Sequence, residues 1–185
     1  MADQILSSRL KRDARIFGVV ATVLLVGGGG YLLDRWIRVG DRPDLEAHVK
    51  QKRMEEVDNR FKQGVVMLHA RQYEHAVTAF HRVLQLAPEM PEAHANMGFA
   101  MIGLKRYKEA LEFFDGATAL NPNQINAYFG MAEAFEGLGD YRGALESMET
   151  YLHRTKPDDP FRRRAESAVW EWRDRINRKN ATVPK

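Results

Sequence analysis

The chain has 185 residues, a net charge of +3 at neutral pH, 44% hydrophobic and 29% charged residues, and no cysteine. This length suffices for one small folded domain beside a membrane or targeting segment, and the lack of cysteine excludes disulfides and thiol nucleophiles. The basic residues lack interleaved aromatics and no nucleic-acid fold signature is present, so we expect no nucleic-acid partner.

A basic tail, residues 1–15, precedes an uncharged stretch, residues 16–33, which reads IFGVVATVLLVGGGGYLL. As a helix this stretch would be about 27 Å long, close to the hydrocarbon thickness of a bilayer. Tyr31 and Trp36 lie at one end, as interfacial aromatics do. We predict a single transmembrane helix over residues 16–36.

Two alternatives to this anchor are open. A cleaved signal peptide fits the basic residues and the short apolar core, although no Ala-x-Ala site follows and apolar residues resume after the glycines. A buried soluble helix is the other alternative, and four consecutive glycines would weaken it in water.

Lysine and arginine positions on the two sides of the stretch predict its orientation. The short tail carries Arg9, Lys11, Arg12 and Arg15, whereas Arg35, Arg38 and Arg42 follow the stretch. We expect the tail in the cytoplasm and the rest of the chain on the other side of the membrane.

Four consecutive glycines lie within the stretch: Gly27, Gly28, Gly29 and Gly30. They remove side chains from every face of one helical turn, so a partner's transmembrane helix can approach closely there. A flexible or kinked end of the anchor, without a partner, explains the glycines equally well. Residues 37–56 follow as a charged helical stalk, with a helix start at Asp41 and Pro43.

A 34-residue period then runs over residues 57–158. The first copy contains Gly64, Tyr73, Ala76, Phe80 and Pro88, the second contains Gly98, Tyr107, Ala110, Phe114 and Pro122, and the third contains Ala132, Tyr141, Ala144 and Met148, with Pro157 one residue late. The small residues allow two helices to cross closely, and the prolines end the second helix of each pair. We predict three helix-turn-helix repeats, residues 57–90, 91–124 and 125–158.

This pattern resembles the tetratricopeptide repeat (TPR) family, in which a small residue, a central alanine and a terminal proline recur every 34 residues. The resemblance implies an all-α TPR helical solenoid that binds other proteins. Its architecture is similar to that of anchored TPR proteins of the bacterial envelope, which implies an inner-membrane protein with periplasmic repeats.

A final helix is predicted over residues 159–178, because Asp159 and Pro160 form a helix start. An apolar stripe follows at helical spacing: Phe161, Ala165, Ala168, Val169, Trp172 and Ile176. We expect this helix to cap the last open face of the solenoid, with Trp172 in the core and Trp170 partly buried. Residues 179–185 are expected to be a tail.

The TPR resemblance also implies a binding groove, because repeat positions 2, 5, 9 and 12 line the inner wall of such arrays. Its apolar members are Phe61, Val65, Leu68, Phe99, Ile102 and Phe129, and its acidic rim is Glu92, Glu133 and Glu136. We expect the three phenylalanines to form a row and the groove to accept an amphipathic helix. Alternatively, the stalk or the capping helix fills part of the groove, or some of these residues belong to the core.

No catalytic motif is present. The chain has neither Gly-x-Ser-x-Gly nor a phosphate-binding glycine loop, and His69, His75 and His81 are six residues apart and face different directions. We therefore predict no enzyme activity, no cofactor, no metal site and no small-molecule substrate.

The expected function is that of a membrane-anchored scaffold or assembly factor, which holds a protein partner or subunit for a process such as respiratory-complex or cytochrome biogenesis. The main alternative is a permanent accessory subunit of a membrane complex, bound chiefly through its transmembrane helix. A component of secretion or pilus assembly is a further alternative.

Overall fold

The computed structural model describes residues 43–181 of the chain. The chain divides into two compact units, Met1–Gln51 and Lys52–Lys185. Of the first unit only residues 43–51 are described; they are helical, and the side chains of residues 45–51 are exposed. The second unit contains the repeats.

Seven helices form the described part of the chain, which contains no strand. They are α1 (Pro43–His69), α2 (Tyr73–Leu86), α3 (Pro91–Gly103), α4 (Tyr107–Leu120), α5 (Ile125–Gly137), α6 (Tyr141–Arg154) and α7 (Arg162–Ala181). The all-α solenoid of three helix pairs and a final helix, expected from the 34-residue period, is confirmed.

Helix α1 has 27 residues, about twice the length of α3 and α5, which have 13 each. It continues without a break from the predicted stalk into the first repeat. The Arg53 guanidinium donates a hydrogen bond to the Leu86 carbonyl, and Arg82 Nε donates to Glu56 Oε1 at 2.9 Å. From Arg53 onward, α1 is thus held against the end of α2.

The first helix of each pair ends in the same backbone turn. Arg71, Lys105 and Gly139 have φ angles of 59°, 60° and 76°, and each lies 34 residues from the next. The N–H of the following residue bonds to a carbonyl five residues back, as from Gln72 to Met67 at 2.9 Å. This left-handed closing turn suits glycine, and it costs a residue with a Cβ about 1–2 kcal/mol.

Each of the first two pairs is closed by a phenylalanine seated on a glycine. In the third pair, Met148 and Ala132 occupy these two positions. Phe80 and Phe114 are fully buried. A Cβ on Gly64 would lie 2.6 Å from Phe80 Cε1, and one on Gly98 would lie 2.7 Å from Phe114 Cε1. The predicted close helix crossings are confirmed there. Phe114 is also in contact with the next repeat, because a Cβ on Gly130 would lie 2.2 Å from its Cζ.

Tyrosine–glycine contacts join successive repeats. A Cβ on Gly103 would lie 2.3 Å from the Tyr73 ring, and a Cβ on Gly137 would lie 2.5 Å from the Tyr107 ring. Each tyrosine, at the start of the second helix of a pair, therefore packs on the end of the first helix of the following pair. One contact recurs at both junctions, so the repeats stack in one register.

The last junction, between the third repeat and α7, is made differently. Tyr141 occupies the tyrosine position, but it meets Arg175, whose guanidinium carbon lies 5.1 Å from the ring centroid. Arg175 Nη1 also donates to the Tyr141 hydroxyl at 2.9 Å. Nearby, Arg173 of α7 pairs with Glu149 of α6. The capping helix is thus attached in part by cationic side chains.

Helix α7 begins at Arg162 rather than at the predicted Asp159. The Asp159 carboxylate accepts hydrogen bonds from the Phe161 N–H at 2.8 Å and from the Tyr151 hydroxyl at 2.6 Å. These bonds fix residues 159–161 as a turn before the helix, and Phe161 stands outside the helical stripe to which its spacing assigned it.

The buried stripe of α7 contains Ala165, Val169 and Trp172, so the prediction that Trp172 is a core residue is confirmed. The expected partial burial of Trp170 is wrong, since 72% of this residue is exposed. It precedes Trp172 by two residues, about 200° around the helix, and therefore lies on the outer face. The helix continues through residues 179–181, which were expected to belong to the tail, and ends at Ala181.

Among residues 43–181, no helix combines the length and the apolar character needed to cross a bilayer. The predicted anchor, residues 16–36 with its four glycines Gly27–Gly30, lies outside the described residues.

Candidate functional site

The six apolar residues of the expected groove are all half-buried rather than open to solvent. Three of them make edge-on ring contacts with the core: Phe61 with Phe80 at 5.9 Å, Phe99 with Phe114 at 5.1 Å and Phe129 with Tyr151 at 5.2 Å between centroids. Val65, Leu68 and Ile102 also pack against the core. These side chains therefore support the fold while presenting one edge at the surface.

The three phenylalanines do not form a row of equivalent positions. Phe61 and Phe129 are 68 residues apart and share repeat position 5, whereas the residue of the second repeat at that position is Ala95, which is fully buried. Phe99 follows Ala95 by four residues, one helical turn further along α3. The aromatic line along the inner helices is therefore staggered.

Phe99, Phe129 and Glu133 are brought together at one cavity of about 750 Å³. The remaining expected groove residues lie outside its lining. Its other walls come from the start of α5, the end of α6, the α6–α7 turn and α7: Ile125, Asn126, Tyr151, Thr155, Lys156, Asp158, Asp159, Pro160, Phe161 and Arg164. We name this cavity the aromatic pocket; the repeat spacing did not predict it.

Arg164 lies at the centre of the polar groups in this pocket. Its guanidinium carbon stands 5.4 Å from the Phe129 ring centroid, and its Nη2 donates to Glu133 Oε1 at 2.7 Å. The Phe161 ring lies on the same phenylalanine, 6.1 Å from it between centroids, and 55% of Phe161 is exposed. Phe129 is thus flanked by a cation and by a second aromatic ring.

One departure from the repeat creates this pocket. Tyr151 stands where the earlier repeats have Val83 and Ala117, and it is only 4% exposed. Its ring supports Phe129, while its hydroxyl holds Asp159 and thereby the turn that carries Phe161. Burial raises the pKa of the Tyr151 hydroxyl, and its hydrogen bond to Asp159 acts in the same direction. The sequence signal was this large residue at a position that is otherwise small.

The expected acidic rim is largely occupied by α7. Glu133 is paired with Arg164, and Glu136 accepts a hydrogen bond from Trp172 Nε1 at 2.9 Å. Burial raises the pKa of Glu133, and the neighbouring Arg164 opposes that shift. Of the three expected carboxylates only Glu92 remains exposed without such a contact from α7. The capping helix therefore covers the third row of the groove, the alternative left open by the sequence.

The site offers aromatic faces, an exposed cation and hydrogen-bonding groups, all of which can contact a bound ligand. Among residues 43–181 no three His, Asp or Glu side chains are grouped as metal ligands. Pocket size and apolar lining suit a large side chain or a short piece of polypeptide.

The repeat is recognised independently by the sequence profile described as "Tetratricopeptide repeat", which matches residues 67–128 and 101–163 and so spans more than half of the chain. The chain belongs to the tetratricopeptide repeat family. No curated protein sequence matches this TPR protein significantly.

Solved structures with the same TPR fold share little sequence with this chain. The Sgt2 TPR domain of Aspergillus fumigatus is 21% identical, with a TM-score of 0.63. The match covers 70% of this chain and 86% of the Sgt2 domain. PcrH, solved with the chaperone binding region of PopD, has 17% identity and a TM-score of 0.63, covering 66% and 95%. The TPR2B domain of yeast Sti1, solved as a pHsp70 complex, has 20% identity and a TM-score of 0.62, covering 65% and 98%.

Proposed function

We propose that this TPR protein is a membrane-anchored interaction scaffold that holds an apolar helical segment of a protein partner on α1, α3 and α5. The observation that carries the proposal is the series of half-buried apolar residues on these helices, which leads to the aromatic pocket. Large apolar side chains that stay partly exposed side by side often mark a binding surface.

A polypeptide partner is favoured by the fold. PcrH and the Sti1 TPR2B domain, which share it, were both solved with protein ligands. A clamp for a C-terminal carboxylate is not favoured, because Phe61 and Val65 stand where such a clamp needs polar side chains. Only Asn96 lies at a comparable place.

A helical partner is favoured by α1. Met54, Phe61, Val65 and Leu68 recur at helical spacing, and Met54 is 63% exposed. The stripe starts seven residues, about two turns, before Phe61. Helix α1 thus offers a longer apolar stripe than the 13-residue helices α3 and α5 can. An amphipathic helix uses contacts at this spacing along its own length.

The anchor remains part of the proposal. We expect residues 16–36 to span the membrane once, with the N-terminus in the cytoplasm and the repeats in the periplasm of a bacterial cell. The full chain should stay with the membrane through alkaline carbonate washing. A soluble product beginning near Gly29 or Gly30 would instead identify a signal peptide.

Site-directed photocrosslinking tests the scaffold function. A benzophenone amino acid at Leu68 or Ile102 of the full chain in cells should crosslink to one apolar segment of a partner, identified by mass spectrometry. The same group at Arg142, an exposed residue of α6, is the matched control. Equal labelling from groove and control positions, or no labelling from the groove, would overturn the scaffold function.

The accessory-subunit alternative is favoured by the four consecutive glycines. If that turn packs on a partner helix, Gly28→Leu and Gly29→Leu should abolish copurification in mild detergent while the repeats stay folded. If the groove is the main contact, these variants should copurify as the wild type does.

A further inference from the structure

We infer that the aromatic pocket is the specificity site of the groove: it binds one large apolar side chain of the partner, and Arg164 pairs with a carboxylate side chain next to it. This inference rests on the proposed scaffold function and names the local chemistry of the partner.

The apolar part of the inference follows from the lining. Phe99, Phe129 and Phe161 surround the cavity together with Ile125 and Tyr151, and 55% of Phe161 is exposed. The volume of about 750 Å³ exceeds the needs of one side chain and accommodates that side chain with its neighbour on the polypeptide. A large aromatic side chain makes the best use of such rings.

The acidic part follows from the partners of the charged groups at the pocket, whose lining has three carboxylates and two cations. The Asp159 carboxylate accepts hydrogen bonds from the Tyr151 hydroxyl and from the Phe161 N–H, and the Glu133 carboxylate is paired with Arg164. Asp158 and Lys156 lie on the turn and balance one another in sign.

Arg164 is paired with Glu133 and still has donors for a carboxylate of the ligand. Its side chain is 67% exposed, whereas that of its partner Glu133 is 25% exposed. Within the described residues its only hydrogen bond uses Nη2, which leaves Nε and Nη1 for a second acceptor. Because the guanidinium stands over Phe129, a carboxylate adjacent to a side chain seated on that ring meets Arg164 first. Charge-assisted bonds from arginine to carboxylate are the stronger hydrogen bonds.

An internal segment of polypeptide is the occupant to which these features point. Phe99 belongs both to the pocket and to the apolar series on α1 and α3, so the pocket is continuous with the proposed groove. A segment lying along the groove places one side chain in the pocket and continues past it.

The test uses the full chain in lipid nanodiscs, with empty nanodiscs as the blank, and three capped dipeptides: Ac-Trp-Glu-NH2, Ac-Trp-Gln-NH2 and Ac-Ala-Glu-NH2. The tryptophan of the two tryptophan probes is 5-fluorotryptophan, so fluorine NMR reports their binding directly. Binding of the alanine probe is measured by its competition against them. We expect millimolar binding of the tryptophan probes, about threefold tighter for the glutamate one, and no competition by the alanine probe.

Two matched pairs of variants localise the effects. Arg164→Gln should remove the preference for the glutamate probe, and Arg163→Gln, next to it on α7, should retain the preference. Phe161→Ala should weaken both tryptophan probes at least fivefold, whereas Trp170→Ala, an exposed aromatic on the outer face of α7, should leave them unchanged. Glu133→Gln should increase the preference for the glutamate probe over the glutamine probe, because Arg164 loses the carboxylate with which it is paired.

Equal binding of the glutamate and glutamine probes to the wild type would overturn the inference, as would an equal effect of Arg163→Gln and Arg164→Gln. Tighter binding of Ac-Trp with a free carboxylate than of Ac-Trp-Glu-NH2 would show a chain-terminus site and refute the internal segment. Failure of this inference can be distinguished from failure of the proposed function. Crosslinks from the groove without probe specificity would refute this inference alone, and probe specificity without crosslinks from the groove would refute the scaffold function.

Discussion

Truncation of Phe99 separates its structural role from its binding role. Phe99→Ala removes a ring that is half-buried and packs edge-on at 5.1 Å against Phe114. Complete burial would make the loss about 3–5 kcal/mol, so a half-buried ring should cost about 2 kcal/mol of unfolding free energy. A binding anchor of this type contributes about 2 kcal/mol or more, so partner affinity should fall about 30-fold.

The assay combines two measurements on the same full-length protein. Urea unfolding followed by circular dichroism gives the stability, and titration of the crosslink-identified partner segment gives the affinity. Phe114→Ala is the matched control, because Phe114 is fully buried and absent from the pocket lining, and it should cost the full 3–5 kcal/mol. A stability loss for Phe99→Ala equal to that of Phe114→Ala, or an unchanged affinity in the folded variant, would refute the assignment of Phe99 to the groove.

Three further predictions concern the repeats and the cap. Gly130→Ala should lower stability in urea unfolding, because its Cβ would lie 2.2 Å from Phe114 Cζ and overpacking of about 1–3 kcal/mol exceeds the helix-propensity gain of about 1 kcal/mol. Lys105→Gly should raise stability in the same assay by about 0.5 kcal/mol, since glycine relieves the positive φ at a modest entropic cost. The hydrogen bond from the Tyr151 hydroxyl lowers the pKa of Asp159. The ionised Asp159 therefore contributes to folding stability above the ordinary carboxylate pKa, and this contribution is lost as the pH falls through the lowered pKa. The stability difference between the wild type and Asp159→Asn should therefore shrink as unfolding is measured at progressively more acidic pH.

The helix pairs were predictable because their signals are local and recur. The 34-residue spacing of Gly64 and Gly98 marks close crossings, and the structure places a buried phenylalanine at each. Trp172 was predictable for a similar reason, since it belongs to a stripe at helical spacing. Periodicity assigns a side chain to a face of its helix, and the stacking of repeats then decides which faces are covered.

The aromatic pocket was not predictable from periodicity, because it arises where the period fails. Tyr151 replaces a small residue, and its hydroxyl holds a turn whose sequence resembles an ordinary helix start. The spacing also could not show that Arg164 and Trp172 engage Glu133 and Glu136, since the partners of each contact lie on different helices. Side-chain contacts between residues 31 and 36 positions apart leave no pattern in a single sequence.

The junction that holds α7 differs in kind from the junctions between repeats. Tyrosine rings on glycines join the repeats, whereas three arginines help to attach α7: Arg164 to Glu133, Arg173 to Glu149 and Arg175 to Tyr141. Dissolved salt screens the two ion pairs, Arg164–Glu133 and Arg173–Glu149, whereas it does not weaken tyrosine–glycine packing. Raised ionic strength should therefore loosen α7 before the repeats, seen as faster amide hydrogen exchange confined to that helix. Since α7 and the turn before it supply Arg164 and Phe161, this loosening would also open one wall of the aromatic pocket.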